Sequence, residues 1–250
     1  MAQEKWDEIY TKRFGGMWYP DEGLVRFVAR SLRRRVGVDA YEEKRPVGKV
    51  LDAGCGHGRH LVFFAEQGFE IYGADISKDG LQVARAWLRK RGLTAYLQAG
   101  DLTKLPFRPE TFDVVVSYGV LDHIHAGQAV EAMHEFGRVC TKGAYVYVTL
   151  RSTEDCEYGR GEKTERNTFV LQEGYEKGLI QHFYDLQDLS ELLKGFRVLD
   201  IECHEESFPR SFSVDKAFLQ SSRGFGGQVD LSNLGSFLKY SRWHIAAEKV

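Results

Sequence analysis

Val50-Leu51-Asp52-Ala53-Gly54-Cys55-Gly56-His57-Gly58-Arg59-His60 begins as a short apolar run and breaks into three glycines spaced by single residues. It then continues in a helical pattern. Such a stretch reads as a strand, a tight turn and a helix. The turn needs backbone angles that glycine adopts freely, and a ligand can approach the main chain where no side chain stands in the way. The helix that follows directs its unpaired N–H groups at that ligand. A glycine-rich turn by itself is common to nicotinamide, flavin and many other α/β sites. The spacing Gly54-x-Gly56-x-Gly58 departs from the dinucleotide GxGxxG pattern.

The flanking sequence narrows the reading. Asp52 ends the first apolar run, and Asp75 ends a second, Glu70-Ile71-Tyr72-Gly73-Ala74-Asp75, where an acid can hold ribose hydroxyls. Gly100-Asp101-Leu102 follows a third run, and Phe112-Asp113-Val114-Val115-Val116-Ser117 is a fourth. This ordered set resembles the class I S-adenosylmethionine-dependent methyltransferases, over roughly residues 45–150. The resemblance implies an α/β fold with a seven-stranded, mostly parallel, doubly wound sheet and a late antiparallel strand. It implies S-adenosylmethionine as methyl donor and S-adenosylhomocysteine as product. Asp52 and the backbone of Gly54 and Gly56 would lie at the methionine end and ribose. Asp75 would take the ribose hydroxyls, Ile76 the adenine face, and Asp101 with the N–H of Leu102 the adenine amino edge. The backbone of Ser117 would touch the methionine moiety. Asp75 as a strand-end cap and Asp101 as simple turn chemistry are the plainer alternatives.

Composition fits that picture. The chain has 250 residues, 43% hydrophobic and 28% charged, which suits one domain with a sizeable core. A net charge of -2 gives no pull towards nucleic acid or an anionic membrane, so neither is expected as a partner. No apolar run approaches the roughly 20 residues of a membrane helix, and Met1 to Asp7 has no signal-peptide core. Cys55, Cys140, Cys156 and Cys203 are far apart. A reduced, cytoplasmic protein without a metal site is the expectation, and oligomeric state is unread.

Along the chain, residues 3–14 read as a helix with Trp6, Tyr10 and Phe14 on one face. It either docks on the main sheet or, as in many enzymes of the resembled family, forms a lid. As a lid it would bring Tyr10 to the cofactor and Trp18 and Tyr19 to the substrate, with Gly15-Gly16 as the joint. Asp21 to Val36 reads as a second helix ending in Arg33-Arg34-Arg35, a cationic C-terminus that suits the helix dipole. The expected division is one domain over 1–250: lid helices 1–36, a cofactor core 45–150, and a substrate half 151–250. Two insertions, 151–181 and 205–240, interrupt that last part. Strands are expected at Phe196 to Cys203 and Trp243 to Glu248, and Asp185 as the cap of a helix.

Ser117-Tyr118-Gly119-Val120-Leu121-Asp122-His123 follows the fourth strand, where ligands meet an open α/β sheet. It lacks the Asn/Asp-Pro-Pro-Tyr motif of methyltransferases acting on base amines. Val120-Leu121-Asp122-His123 is similar to a segment of small-molecule members. His123 and His125 are candidates for a general base, and Tyr118 for the wall of the methyl channel. Arg151 could hold a carboxylate or phosphate of the substrate, beside His182 and Tyr184. The reading is methyl transfer to the O or N of a small molecule by direct displacement. A protein or RNA acceptor, or a subunit that binds the cofactor without turnover, also fits these residues.

Overall fold

Residues 2–12, 18–173, 176–209 and 237–250 are described by the computed structural model of the chain. In chain order come α1 (Ala2–Lys12), α2 (Glu22–Ser31), β1 (Arg33–Arg35), β2 (Tyr41–Glu43), β3 (Lys49–Ala53) and α3 (Arg59–Glu66). Then follow β4 (Glu70–Asp75), α4 (Lys78–Lys90), β5 (Tyr96–Ala99), β6 (Phe112–Tyr118), a single 3-10 turn (Leu121–His123), α5 (Ala126–Val139) and β7 (Cys140–Arg151). The last third holds β8 (Glu162–Glu165), β9 (Thr168–Val170), β10 (Ile180–His182), α6 (Leu186–Leu192), β11 (Phe196–Pro209) and β12 (Phe237–Lys249).

The main sheet has seven strands in the order β11-β12-β7-β6-β3-β4-β5. β3 to β7 pair parallel, while β12 lies antiparallel to β7 and β11 antiparallel to β12. This is the expected seven-stranded α/β sheet. β3 and β6 are buried on both faces, so both read as continuous apolar runs. Two cores result. One centres on Leu24, Leu61, Phe64 and Leu81 from α2, α3 and α4; the other on Leu121, Phe136, Val139 and Leu189 from the turn, α5 and α6. Each fully buried Leu or Phe stabilises the fold by about 2–3 kcal/mol. The chain winds outward from β3 to β5 and then returns to β6 and β7. The order therefore reverses between β3 and β6, and a crevice opens at their carboxyl ends.

Three expectations need correcting. Arg33–Arg35 is not a helix end but a short strand paired with Tyr41–Glu43, with Arg34 ion-paired to Glu42 at 2.7 Å. The 151–181 insertion is not irregular throughout, since β8, β9 and β10 form a three-stranded sheet within it. β11 and β12 run beyond their expected ends and take up 205–209 and 237–240. The rest of that insertion, and Gly15-Gly16 with Phe14, lie outside the described residues. Among the described residues no helix is long and apolar enough to cross a membrane.

Candidate active site

The crevice is floored by the glycine turn. Gly54, Gly56 and Gly58 have φ of 83°, 51° and 92°, the left-handed region that side chains disfavour. The N–H groups of Gly54 and Cys55 donate to the Ala74 carbonyl at 2.7 and 3.1 Å, which locks the turn onto β4. A Cβ on Gly54 would collide with Val120 of the turn after β6, and one on Gly56 with the Tyr10 hydroxyl. Glycine at these two positions thus lets Val120 and Tyr10 pack directly on the backbone of the turn. Asp75 accepts from Gly56 N at 2.7 Å and from Ser77 N at 2.8 Å. A carboxylate has about four lone-pair sites, so two contacts leave capacity for further donors. Burial raises its pKa to about 6 against the pull of the Ser77, Gly56 and Ile76 N–H groups.

Two buried polar atoms at the ends of the neighbouring strands β3 and β6 have no partner among the described residues: Asp52 Oδ2 and Ser117 Oγ. Burial, then the Asp75 charge, raises the Asp52 pKa to about 8. An orphaned buried oxygen is costly unless something bonds it. A part-used carboxylate and two unpaired oxygens around the glycine turn fit the ribose and methionine end of the expected cofactor. Gly100 N donates to the Asp75 carbonyl at 3.0 Å, which sets Asp101 at the same edge of the sheet. The Asp101 side chain is exposed and accepts from Thr103 N and Oγ1, each at 2.9 Å. It is therefore an Asx-type turn residue as it stands. Leu102 is buried and Ile76 half-buried.

α1 lies across this floor. Asp7 accepts from the Ser77 hydroxyl at 2.5 Å and from Asp79 N at 3.3 Å, so it is clipped to the N-terminus of α4. Trp6 and Tyr10 stack with centroids 6.1 Å apart, Tyr10 over the glycine turn and Trp6 edge-on to His123 at 5.0 Å. Lys5 Nζ reaches the Lys177 carbonyl at 2.8 Å, so α1 also touches the insertion after β7. Trp18 packs at 5.0 Å on His57 and 4.6 Å on Trp87 of α4, at the outer side of the glycine turn. Tyr19 is 80% exposed and walls no pocket, contrary to expectation.

On the β6 side, the Tyr118 ring lies between two guanidiniums, Arg59 at 4.7 Å and Arg242 at 5.6 Å, and its hydroxyl bonds Asp21. Asp122 is fully buried and holds Arg151 N at 2.6 Å and Arg242 Nη1 at 2.7 Å. Arg151 does not extend a free guanidinium towards a substrate. It is paired with Glu157, with Asp155 at 3.6 Å, and the fields of these acids, Glu176 and Asp122 raise its pKa. His123 is held by Nδ1 on the Ile180 carbonyl at 3.1 Å, with Nε2 3.9 Å from Glu176 Oε1. His125 instead caps α5 and pairs with Glu165 at 3.2 Å, which removes it as a base. His182 is 1% exposed, bonds Thr168 Oγ1 at 2.6 Å and sits edge-on to Tyr184, so it packs the insertion sheet rather than meeting substrate.

The structure therefore brings together Asp52, Gly54, Gly56, Asp75, Ser117, Tyr118, His123 and Tyr10, and sets Tyr19, His125 and His182 apart. Asp7, Glu176 and Arg242 join the site without having been expected there. Asp7 carries no signal beyond sharing a helix with Trp6. Glu176 lies in an aperiodic stretch, and Arg242 meets Asp122 across 120 residues of chain.

The "Methyltransferase domain" family model matches residues 50–143, the span from β3 into β7. A protein of Encephalitozoon cuniculi (strain GB-M1) named as a methyltransferase is 30% identical over 217 residues, 79% of this chain and 94% of its own. Methyltransferase GfsG of Streptomyces halstedii is 32% identical over 163 residues, 62% of this chain; the match spans 57% of that relative's length. A solved SAM-dependent methyltransferase from Methanosarcina mazei superposes with a TM-score of 0.61 at 20% identity, covering 81% of this chain and 92% of that one. With the crevice, the glycine turn and the Asp75 carboxylate already in place, these likenesses fix the assignment: the chain belongs to the class I S-adenosylmethionine-dependent methyltransferases.

Proposed function

We propose that the chain binds S-adenosylmethionine at the β3–β6 crevice and methylates a small-molecule acceptor, leaving S-adenosylhomocysteine. The observation that carries this is the meeting of Asp75 with the glycine turn. Asp75 is buried and fixed by Gly56 N and Ser77 N, yet its carboxylate keeps acceptor sites, and Tyr10 of α1 reaches the Gly56 backbone beside it. In this reading Asp75 takes the ribose hydroxyls and Ile76 lies against the adenine, with Asp101 and Leu102 at its edge. Asp52 and Ser117 face the methionine end, where they have oxygens to spare.

When bound, the donor supplies a methyl group on a sulfonium. The protein's task is then to hold the acceptor in line and dry. α1 is its cover, touching both the glycine turn and, through Trp6 and Lys5, the acceptor side. Residues 1–36 thus act as lid and support, 45–150 as the cofactor half, and 151–250 as the acceptor half. A site covered by α1, with Trp6 edge-on to His123, supports a small acceptor over a nucleic acid or folded protein. Asp75→Ala should weaken S-adenosylhomocysteine at least roughly tenfold, as expected for losing a charged acceptor of two hydroxyls. Equilibrium titration checks this, and unchanged affinity would place the ribose elsewhere.

A further inference from the structure

His123 and Glu176 set two hydrogen-bond acceptors 3.9 Å apart. The His123 Nδ1 contact is with a carbonyl, that of Ile180 at 3.1 Å. A carbonyl oxygen only accepts, so Nδ1 carries the hydrogen and Nε2 of the neutral ring carries a lone pair. Glu176 Oε1 lies 3.9 Å from that Nε2, and the two side chains are only 9% and 11% exposed. Among the described residues neither Nε2 nor the Glu176 carboxylate has a hydrogen-bond donor. At 3.9 Å they are too far apart to bond each other. Trp6 of α1 closes one side of the His123 ring. Arg151 lends its field to Glu176 but spends its own hydrogen bonds on Glu157.

We infer that the acceptor is a primary amine, held by one hydrogen on His123 Nε2 and one on Glu176 Oε1. The inference rests on the methyl-transfer reading above and names its substrate class. A nitrogen about 2.8 Å from both atoms would see them at an angle of about 90°, near the spread of two N–H bonds. A hydroxyl or thiol has one hydrogen and can serve only one of the two acceptors, a discrimination worth roughly tenfold. With both hydrogens held, the two remaining tetrahedral positions of the neutral amine belong to its carbon and its lone pair. That pair forms the new N–C bond to the methyl group, and the C–S pair leaves with sulfur. The methylated nitrogen is then cationic and gives one proton to His123 Nε2, which passes it to solvent. The Glu176 carboxylate accepts from the cation throughout.

The test uses full-length protein loaded with S-adenosylhomocysteine, methylamine and methanol as matched probes, and the ¹⁵N resonance of His123 Nε2 as readout. Methylamine should shift that resonance saturably, and Glu176→Gln should weaken it roughly tenfold or more. Methanol should leave it unmoved. Glu176→Asp, which keeps the charge but draws it back, is the second variant and should weaken methylamine too. If S-adenosylhomocysteine binds normally but methanol shifts His123 as methylamine does, or methylamine gives no saturable shift, the amine assignment is overturned. Equal methylamine affinity in both Glu176 variants would overturn it as well. Failure of the wild type to bind S-adenosylhomocysteine would instead overturn the donor reading, and this inference with it.

Discussion

Asp52 and Asp75 end the neighbouring strands β3 and β4, and burial keeps both from ionising readily, with pKa values of about 8 and about 6. For Asp52 the folded value lies far above the unfolded value of about 3.9. Its contribution is therefore fully favourable below about pH 4 and is lost as pH rises through about 8, at up to about 1.4 kcal/mol per unit. The ligand-free protein should lose thermal stability between about pH 5 and 8, and Asp52→Asn should flatten that decline. Melting scans across the range check it; parallel curves for the two proteins would mean that Asp52 does not titrate there. Asp75 and the glycines were legible in the sequence because their partners are near in the chain. Gly56 meets Asp75 at 19 residues, within one strand-helix-strand unit. His125 was not: its partner Glu165 lies forty residues on, in a sheet that no local pattern announced.

At the level of elements, Asp7 ties α1 to the start of α4. Its carboxylate holds both the Ser77 hydroxyl and Asp79 N at the positive end of α4. Asp7→Ala should speed release of S-adenosylhomocysteine by roughly fivefold to tenfold, matching about 1 kcal/mol for one charged contact, and leave the melting temperature nearly unchanged. Stopped-flow displacement measures the rate. An unaltered rate would show that α1 is ordinary scaffold. The helix itself was legible, since Trp6 and Tyr10 are spaced four apart and do share a face. The turn from α2 into β1 was not. Three arginines suit a helix end, but their partners Tyr41–Glu43 fold back and offer Glu42 and Glu43 to them. The outer ends of β11 and β12 escaped notice for a related reason: they carry polar residues such as Glu205, Glu206 and Lys239 that pair across strands instead of entering a core.

Across the whole molecule, Asp122 ties the parallel part of the main sheet to its antiparallel edge. From the turn after β6 it holds the backbone where β7 ends and the guanidinium of Arg242 on β12. Such a buried pair adds little net stability when intact, but removing one partner leaves the other charge stranded. Asp122→Ala should cost about 3–5 kcal/mol in urea unfolding, and a loss under about 1 kcal/mol would mean that Arg242 finds water. The parallel order was legible from alternating strand and helix patterns, since right-handed crossovers leave few topologies. The surroundings of Asp122 and His123 were not, because residues from the insertion, β12 and α1 converge there from distant parts of the chain. The central claim is that the crevice between β3 and β6 binds a methyl donor. Calorimetric titration of the purified protein with S-adenosylmethionine, S-adenosylhomocysteine and NADH tests it most directly. Saturable binding of the first two, on the order of micromolar, with none for NADH is the predicted result. Binding of NADH, or silence for both donor and product in a folded sample, would contradict it.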